Sequence, residues 1–293
     1  MNKRNLRRLL PGDAAAALLF LAPSLAGFGL FYIAPFLMSL YESFTDRALG
    51  GAFVGLDNYR EVLASASFRK AAGNTLLFTG VGVPLLVASS LGLALLLNRP
   101  LRFRDGLRTA FVMPLVVPVA SVVAVWQIFT DWNGTLNAWL SHFGQGRIDW
   151  LQSDGSLGVI ALMYLWKNVG YNMILFLAGL QSIPKDYYET ARIEGAGAVR
   201  QLFHITLVYL TPTMFFVVLI STINSFKVFR ETYLLAGDYP YDRLYMLQHY
   251  MNNMFVTLEL RKLTAAAILM AGCILVLVSA LSGMERRFRE DIG

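Results

Sequence analysis

The sequence predicts an all-α integral membrane protein with six transmembrane helices, both termini cytoplasmic, and a cytoplasmic helix pair between helices 4 and 5. Three observations predict it. The 293 residues are 56% hydrophobic and only 15% charged, with positive mean hydropathy, which is too apolar for an ordinary soluble domain. Six apolar segments are each long enough for a hydrocarbon core that needs roughly 20 helical residues. Between the fourth and fifth, the stretch "YYETARIEGAGAVRQLFHITLVYLTPT" places charged and small residues where a simple connector would suffice.

The spans fall at residues 14–42, 74–98, 109–130, 157–180, 205–226 and 264–283, inside a membrane domain of residues 14–283. Residues 1–13 and 284–293 read as cytoplasmic tails, and 181–204 as the loop between spans four and five. The start, "MNKRNLRRLL", is basic like a secretion signal, but the apolar run continues to Tyr41 and is too long for one. Orientation follows from loop charge. One set of loops carries 14 Lys and Arg in 54 residues and the other 10 in 95, so the denser set, both termini included, faces the cytoplasm. The net charge of +6 gathers at the ends of apolar runs and forms no tract, which suits a membrane surface rather than nucleic acid. Cys273 is the single cysteine and lies in an apolar run, so no intrachain disulfide or Cys-based metal site can form.

The outer loops are longer. After a cap at Asp57, Leu56, Tyr59 and Leu63 recur at helical spacing, as in a helix lying on the membrane surface, although a plain connector fits too. Trp150, Tyr241, Tyr245 and Tyr250 suit an interfacial aromatic belt or a surface that meets an extracytoplasmic partner.

Several chemistries are excluded by what is missing. No G-x-x-x-x-G-K-[ST] loop exists to cradle ATP phosphates, and His142, His204 and His249 lack metal-ligand spacing. No GxSxG elbow or nucleophile and base pair suggests hydrolysis. Away from the span ends, Lys167 is the one Lys, Arg, Asp or Glu inside a predicted span. It is open to three readings: an anion-binding group, a partner for another subunit, or a charge snorkelling into a water-filled cavity. Without intramembrane carboxylates, ion-coupled secondary transport has little to drive it, so the energy arrives from another polypeptide.

Residues 186–194 read as a short helix with Glu189 and Ile193 one turn apart on one face. Gly195 and Gly197 permit a sharp turn, and "AVRQLFHITL" starts a second helix that runs into span five. Such a pair can dock in a groove on a cytoplasmic partner and pass its motion to spans four and five. An amphipathic linker covering a helix end has the same spacing.

The stretch resembles the EAA loop of the membrane subunits of ATP-binding-cassette importers, through Glu189, Thr190 and Ala191, then Glu194, Gly195 and Ala196, then Ile205, Leu207 and Pro212. Thr190 replaces an alanine of that pattern, Glu194 an aspartate, and Val208 stands where a first proline is usual. Further segments, among them "FVGLDNY", "LRTAFVMPLVVPVASVVAVWQIF" and "INSFKVF", are similar to the carbohydrate-importer branch. The resemblance implies a multi-pass permease of the bacterial cell membrane. Its implied partners are membrane lipid, a second homologous permease, two copies of a cytoplasmic ATPase and an extracytoplasmic solute-binding protein. It implies no cofactor in this chain, ATP and Mg being held by the ATPase, and no catalysis here. Glu189 would contact the ATPase, Gly195 would shape the turn, and Ala191, Glu194 and Ala196 would complete it. Arg192 and Arg200 fit solvated or lipid-facing charges.

A substrate path needs polar and aromatic groups near the midplane. Tyr164, Asn168 and Tyr171 fall at i, i+4 and i+7 on span four with Lys167 adjacent, and Ser221, Thr222, Asn224 and Ser225 cluster on span five. Both sets offer hydrogen bonds and stacking to a sugar, most simply an oligosaccharide, but small polar residues also mediate helix packing. A phosphorylated polyol such as glycerol phosphate is the alternative cargo, with Lys167 as counter-charge. The expected mechanism is alternating access.

Overall fold

Proline placement decides where the apolar runs bend. The computed structural model describes residues 11–47 and 50–292, so the basic start counted in the orientation argument lies outside the described residues. Helix α1 (Pro11–Phe28) opens on a proline, tolerated in a first turn whose N–H has no helical acceptor. One wide turn at Gly29–Ile33 links it to α2 (Ala34–Glu42), where Pro35 cannot donate to the preceding turn. Together they make the first span, Ala16–Glu42, and none of its most apolar stretch is buried within this chain.

The predicted outer helix exists as α3 (Asp57–Ala64), with two corrections. Leu56 occupies the cap position, and Asp57 is instead the first helical residue, paired with Arg60 at 3.0 Å. The buried face is Asn58 and Val62, while Leu56 and Leu63 remain exposed. Asn58 donates to the carbonyls of Ser43 (3.0 Å) and Thr45 (2.8 Å), and the Tyr59 hydroxyl shares a 2.6 Å hydrogen bond with Ser43 Oγ. The helix therefore fastens the end of the first span as well as presenting apolar residues outward.

Helix α4 (Ala66–Leu97) starts earlier than predicted because the Ser65 side chain caps it by accepting from the Phe68 N–H. The third span departs most from expectation. Residues 109–130 do not form one helix: α5 (Arg104–Val116) stops before Val117–Pro118, and the chain resumes as α6 (Val119–Thr130), then α7 (Thr135–His142), with a bend of 99° between the two arms. Pro118 supplies no N–H and disfavours a helical residue before it, so Val117 is extended.

Helix α8 (Ser156–Gln181) is the central rod, packed on α4 and α5. Two short helices, α9 (Lys185–Ile193) and α10 (Ala198–Gln201), follow at one end of the bundle, called here the hairpin end. A wide turn at Leu202–Thr206 then feeds α11 (Leu207–Ser225), which packs on α8 and α4. The predicted loop after span five contains two helices, α12 (Phe229–Ala236) and α13 (Leu247–Val256), before the long α14 (Leu260–Ile292). Among the described residues, five helical segments are long and apolar enough to cross a membrane, or six when the bent pair counts as one.

Three apolar clusters hold the bundle together. One joins Phe78 and Leu86 of α4 to Ile160 and Met163 of α8 and to Val122 of α6. A second, nearer the hairpin end, joins Leu97 to Phe176, Leu180 and Leu210. The third packs Val62, Phe68, Tyr250 and Ala265. Tyr250 is buried there edge-on to Phe68, so it is a packing residue rather than part of an interfacial belt.

His249 on α13 lies outside the candidate spans and is 1% exposed. Its Nδ1 accepts from the Met246 N–H, and its buried Nε2 has no partner. Burial pushes its pKa down to about 4, partly opposed by Asp238. The unfolded chain binds a proton below its ordinary value near 6.5 while the folded chain does not, so stability is complete above that value and falls as pH drops toward 4. The expected loss across this window is about 3 kcal/mol. Unfolding at neutral pH and at about pH 4 checks it, with His249→Leu expected to flatten the difference.

Candidate functional site

Four of the predicted path residues converge on one cavity. Tyr164, Lys167 and Asn168 from α8 and Asn224 from the end of α11 line a space of about 440 Å³, with Leu115 and Val119 from either side of the Pro118 break and Lys227, Arg230, Glu231 and Gln248 opposite. Backbone freed by a helix break is tolerated at membrane depth where it lines a cavity, which is where this break sits.

The remaining predicted residues do other work. The Tyr164 hydroxyl donates to the Ser221 carbonyl at 2.9 Å, and Ser221 Oγ accepts from Asn172 at 2.8 Å. Ser225 Oγ donates to the Thr222 carbonyl and shares a 2.8 Å hydrogen bond with Thr79. Ser221 and Ser225 thus join α11 to α8 and α4, Thr222 is buried beside them, and none of the three lines the cavity. Tyr171 shares the azimuth of Tyr164 but is exposed and outside the cavity lining. Seven residues along a helix is about 10 Å, so the i+7 spacing fixed direction but not depth. Asn168 donates to the Tyr164 carbonyl one turn back, at 2.8 Å.

Lys167 does not stand alone. Its ammonium pairs with the carboxylate of Glu231, and the two side chains are 15% and 10% exposed. The pair ties α8 to α12 across the cavity wall. Glu231 was missed because residues 226–262 read as a loop outside the membrane, whereas α12 continues the candidate span that runs from Ala198 to Ala236. The available signal was Lys227 and Glu231 at i, i+4, a helical charge spacing in a segment read as loop.

At the hairpin end the predicted two-helix element is present. Gly195 turns the chain with φ +81°, a conformation that side chains rarely adopt, while Gly197 is extended and serves as the cap of α10. The turn is closed by the Ala196 N–H donating to the Ala191 carbonyl at 2.8 Å and by Gln201 donating to the Ala196 carbonyl at 2.8 Å. Tyr188 hydrogen-bonds Thr206 at 3.0 Å, and the Tyr187 ring lies 5.0 Å from that of Tyr209 on α11. Outward, Glu189 and Glu194 are exposed, and so are Ile193 at 87% and Val199 at 71%. The base is braced, and the tip presents apolar and acidic groups to whatever it faces.

A sequence model described as the binding-protein-dependent transport system inner membrane component matches residues 76–290. The sulfoquinovosyl glycerol transport system permease of Agrobacterium fabrum is 31% identical over 236 residues, 78% of this chain and 76% of its own. The arabinooligosaccharides transport system permease of Bacillus subtilis is 34% identical over 235 residues, 78% and 74% respectively. A solved chain of a bacterial ABC transporter involved in the import of the acidic polysaccharide alginate superposes with a TM-score of 0.84 at 25% identity, over 96% of this chain and 99% of that one. This likeness along most of its length shows that the chain belongs to the binding-protein-dependent transport inner membrane components, the permease subunits of sugar ATP-binding-cassette importers.

Proposed function

We propose that this chain forms half of the translocation path of an ATP-driven sugar importer and is coupled to a cytoplasmic ATPase through residues 181–204. The observation that carries the reading is the hairpin: Ile193 and Val199 face outward on a base that Tyr187 joins to Tyr209 of α11 and Tyr188 to Thr206 just before it, while Gln201 closes the turn onto Ala196. An exposed apolar tip on a rigid base is what a mechanical coupling needs, because a push on the tip moves α11 instead of bending the loop. In this reading Glu189, Ala191, Glu194, Gly195 and Ala196 meet the ATPase, and the hairpin end is cytoplasmic. A second permease completes the path, and a solute-binding protein delivers cargo at the opposite end. Closure of the ATPases on ATP shifts the cavity from inward- to outward-facing, and hydrolysis resets it.

The cargo side of the reading rests on the cavity, whose amides from Asn168, Asn224 and Gln248 suit a hydroxyl-rich ligand. Relatives named for glycosyl cargo support an oligosaccharide or glycoside. The test is ATP hydrolysis and uptake by the chain assembled with its partner permease and ATPase in proteoliposomes, with the loaded binding protein added. Stimulated hydrolysis and uptake are expected. Glu189→Lys is expected to leave the chain inserted but to lower uptake about tenfold or more, the scale of a lost docking contact of a few kcal/mol. Unchanged uptake by that variant would remove the docking role.

A further inference from the structure

The cavity beside the broken third span carries more positive charge than its own wall neutralises. Its lining holds three cations, Lys167, Lys227 and Arg230, and one carboxylate, Glu231. Glu231 is engaged by Lys167. Among the described residues, neither Lys227 nor Arg230 pairs with any carboxylate, so two positive charges are left over. Lys227 lies in the turn between α11 and α12 and Arg230 in the first turn of α12. Three residues apart in near-helical backbone, they project from one side of it and line the same space.

A neutral sugar needs hydrogen-bonding groups, which Asn168 and Asn224 already supply. It gives no return for holding two like charges three residues apart. Repulsion between them is relieved by an anion, and attraction for one strengthens as water is displaced from the cavity on binding. Pairing with Glu231 also removes Lys167 from the role of counter-charge that its position in the sequence suggests. We propose, resting on the importer reading above, that the cargo is an anionic saccharide or polyol. Its carboxylate, sulfonate or phosphate is seated against Lys227 and Arg230, with Glu231 keeping Lys167 as part of the wall.

The test compares two probes of similar size, trigalacturonate and maltotriose, binding to the chain assembled with its partner subunits in phosphatidylcholine nanodiscs. Equilibrium dialysis reads the affinities. Trigalacturonate is expected to bind about tenfold tighter or better at low salt, with the advantage shrinking at about 0.5 M salt as the charges are screened. The double variant Lys227→Gln, Arg230→Gln is expected to lose the advantage, and Lys227→Arg, Arg230→Lys to keep it. Both side chains are exposed in the chain, so both variants should unfold at the wild-type temperature. Equal binding of the probes, binding of neither, or an advantage that survives loss of both cations would overturn the proposal. Loss of trigalacturonate binding when phosphatidylglycerol replaces part of the lipid would assign the cations to lipid headgroups and overturn it too. None of these outcomes touches the hairpin, so the coupling reading stands or falls separately on Glu189→Lys.

Discussion

Replacing Glu231 by glutamine is expected to cost about 3–5 kcal/mol of stability, because Lys167 is then left as an uncompensated charge with little access to water. Lys167→Met strands Glu231 in the same way. Removing both, as Lys167→Met with Glu231→Leu, is expected to restore stability to within about 1 kcal/mol of wild type, since a buried ion pair often gains little over apolar residues of similar volume. The three variants close a double-mutant cycle, and detergent-induced unfolding followed by circular dichroism supplies each free energy. Single variants that each cost under about 1 kcal/mol, or a double variant that costs their sum, would mean that the charges do not depend on each other. The cycle has a functional side as well. The pair joins α8 to α12 across the cavity, so the apolar double variant should be stable yet altered in transport if the junction must open.

That pair marks the limit of what the residues alone could say. Lys167 was conspicuous because charge in an apolar run is costly, but its partner is 64 positions away, in a segment whose helical spacing was overridden by its charges and tyrosines. The spans themselves were legible: hydropathy and length placed the first, fourth and fifth within a few residues of α1–α2, α8 and α11. The hairpin was legible too, since Gly195 and the charge spacing of residues 186–194 act locally. The bend at Val117–Pro118 was written in the sequence as a proline, yet hydropathy averages over such a break and returned one straight span. Tyr171, Ser221 and Ser225 show a different limit. Periodicity gives the face on which a side chain stands, while its depth along the axis, and whether the facing surface is a cavity or another helix, depend on neighbours distant in sequence.

Gly170→Ala is expected to destabilise the bundle by about 3 kcal/mol or more, at or above the top of the usual range for overpacking. A Cβ built at Gly170 falls 1.9 Å from the Phe111 carbonyl oxygen and 2.7 Å from the Val112 nitrogen. These are backbone atoms, and no rotamer change can move them aside. The α5 backbone must retreat from α8 by roughly an ångström, unpacking Phe111 and Val112 from the cluster around Phe176. Small residues are what allow such close approach between membrane helices. Gly158→Ala is the control on the same helix: its added methyl meets nothing within 4 Å, so helix propensity predicts a neutral change or a gain of up to about 1 kcal/mol. Detergent unfolding of the two variants side by side separates the contact from the propensity. Because α5 ends one residue before the Val117–Pro118 break and carries Leu115 on the cavity wall, displacing it should also weaken cargo binding. Equal stability of the two variants would show that α5 does not sit against α8 at Gly170, and would remove the support that this contact gives to the bent third span.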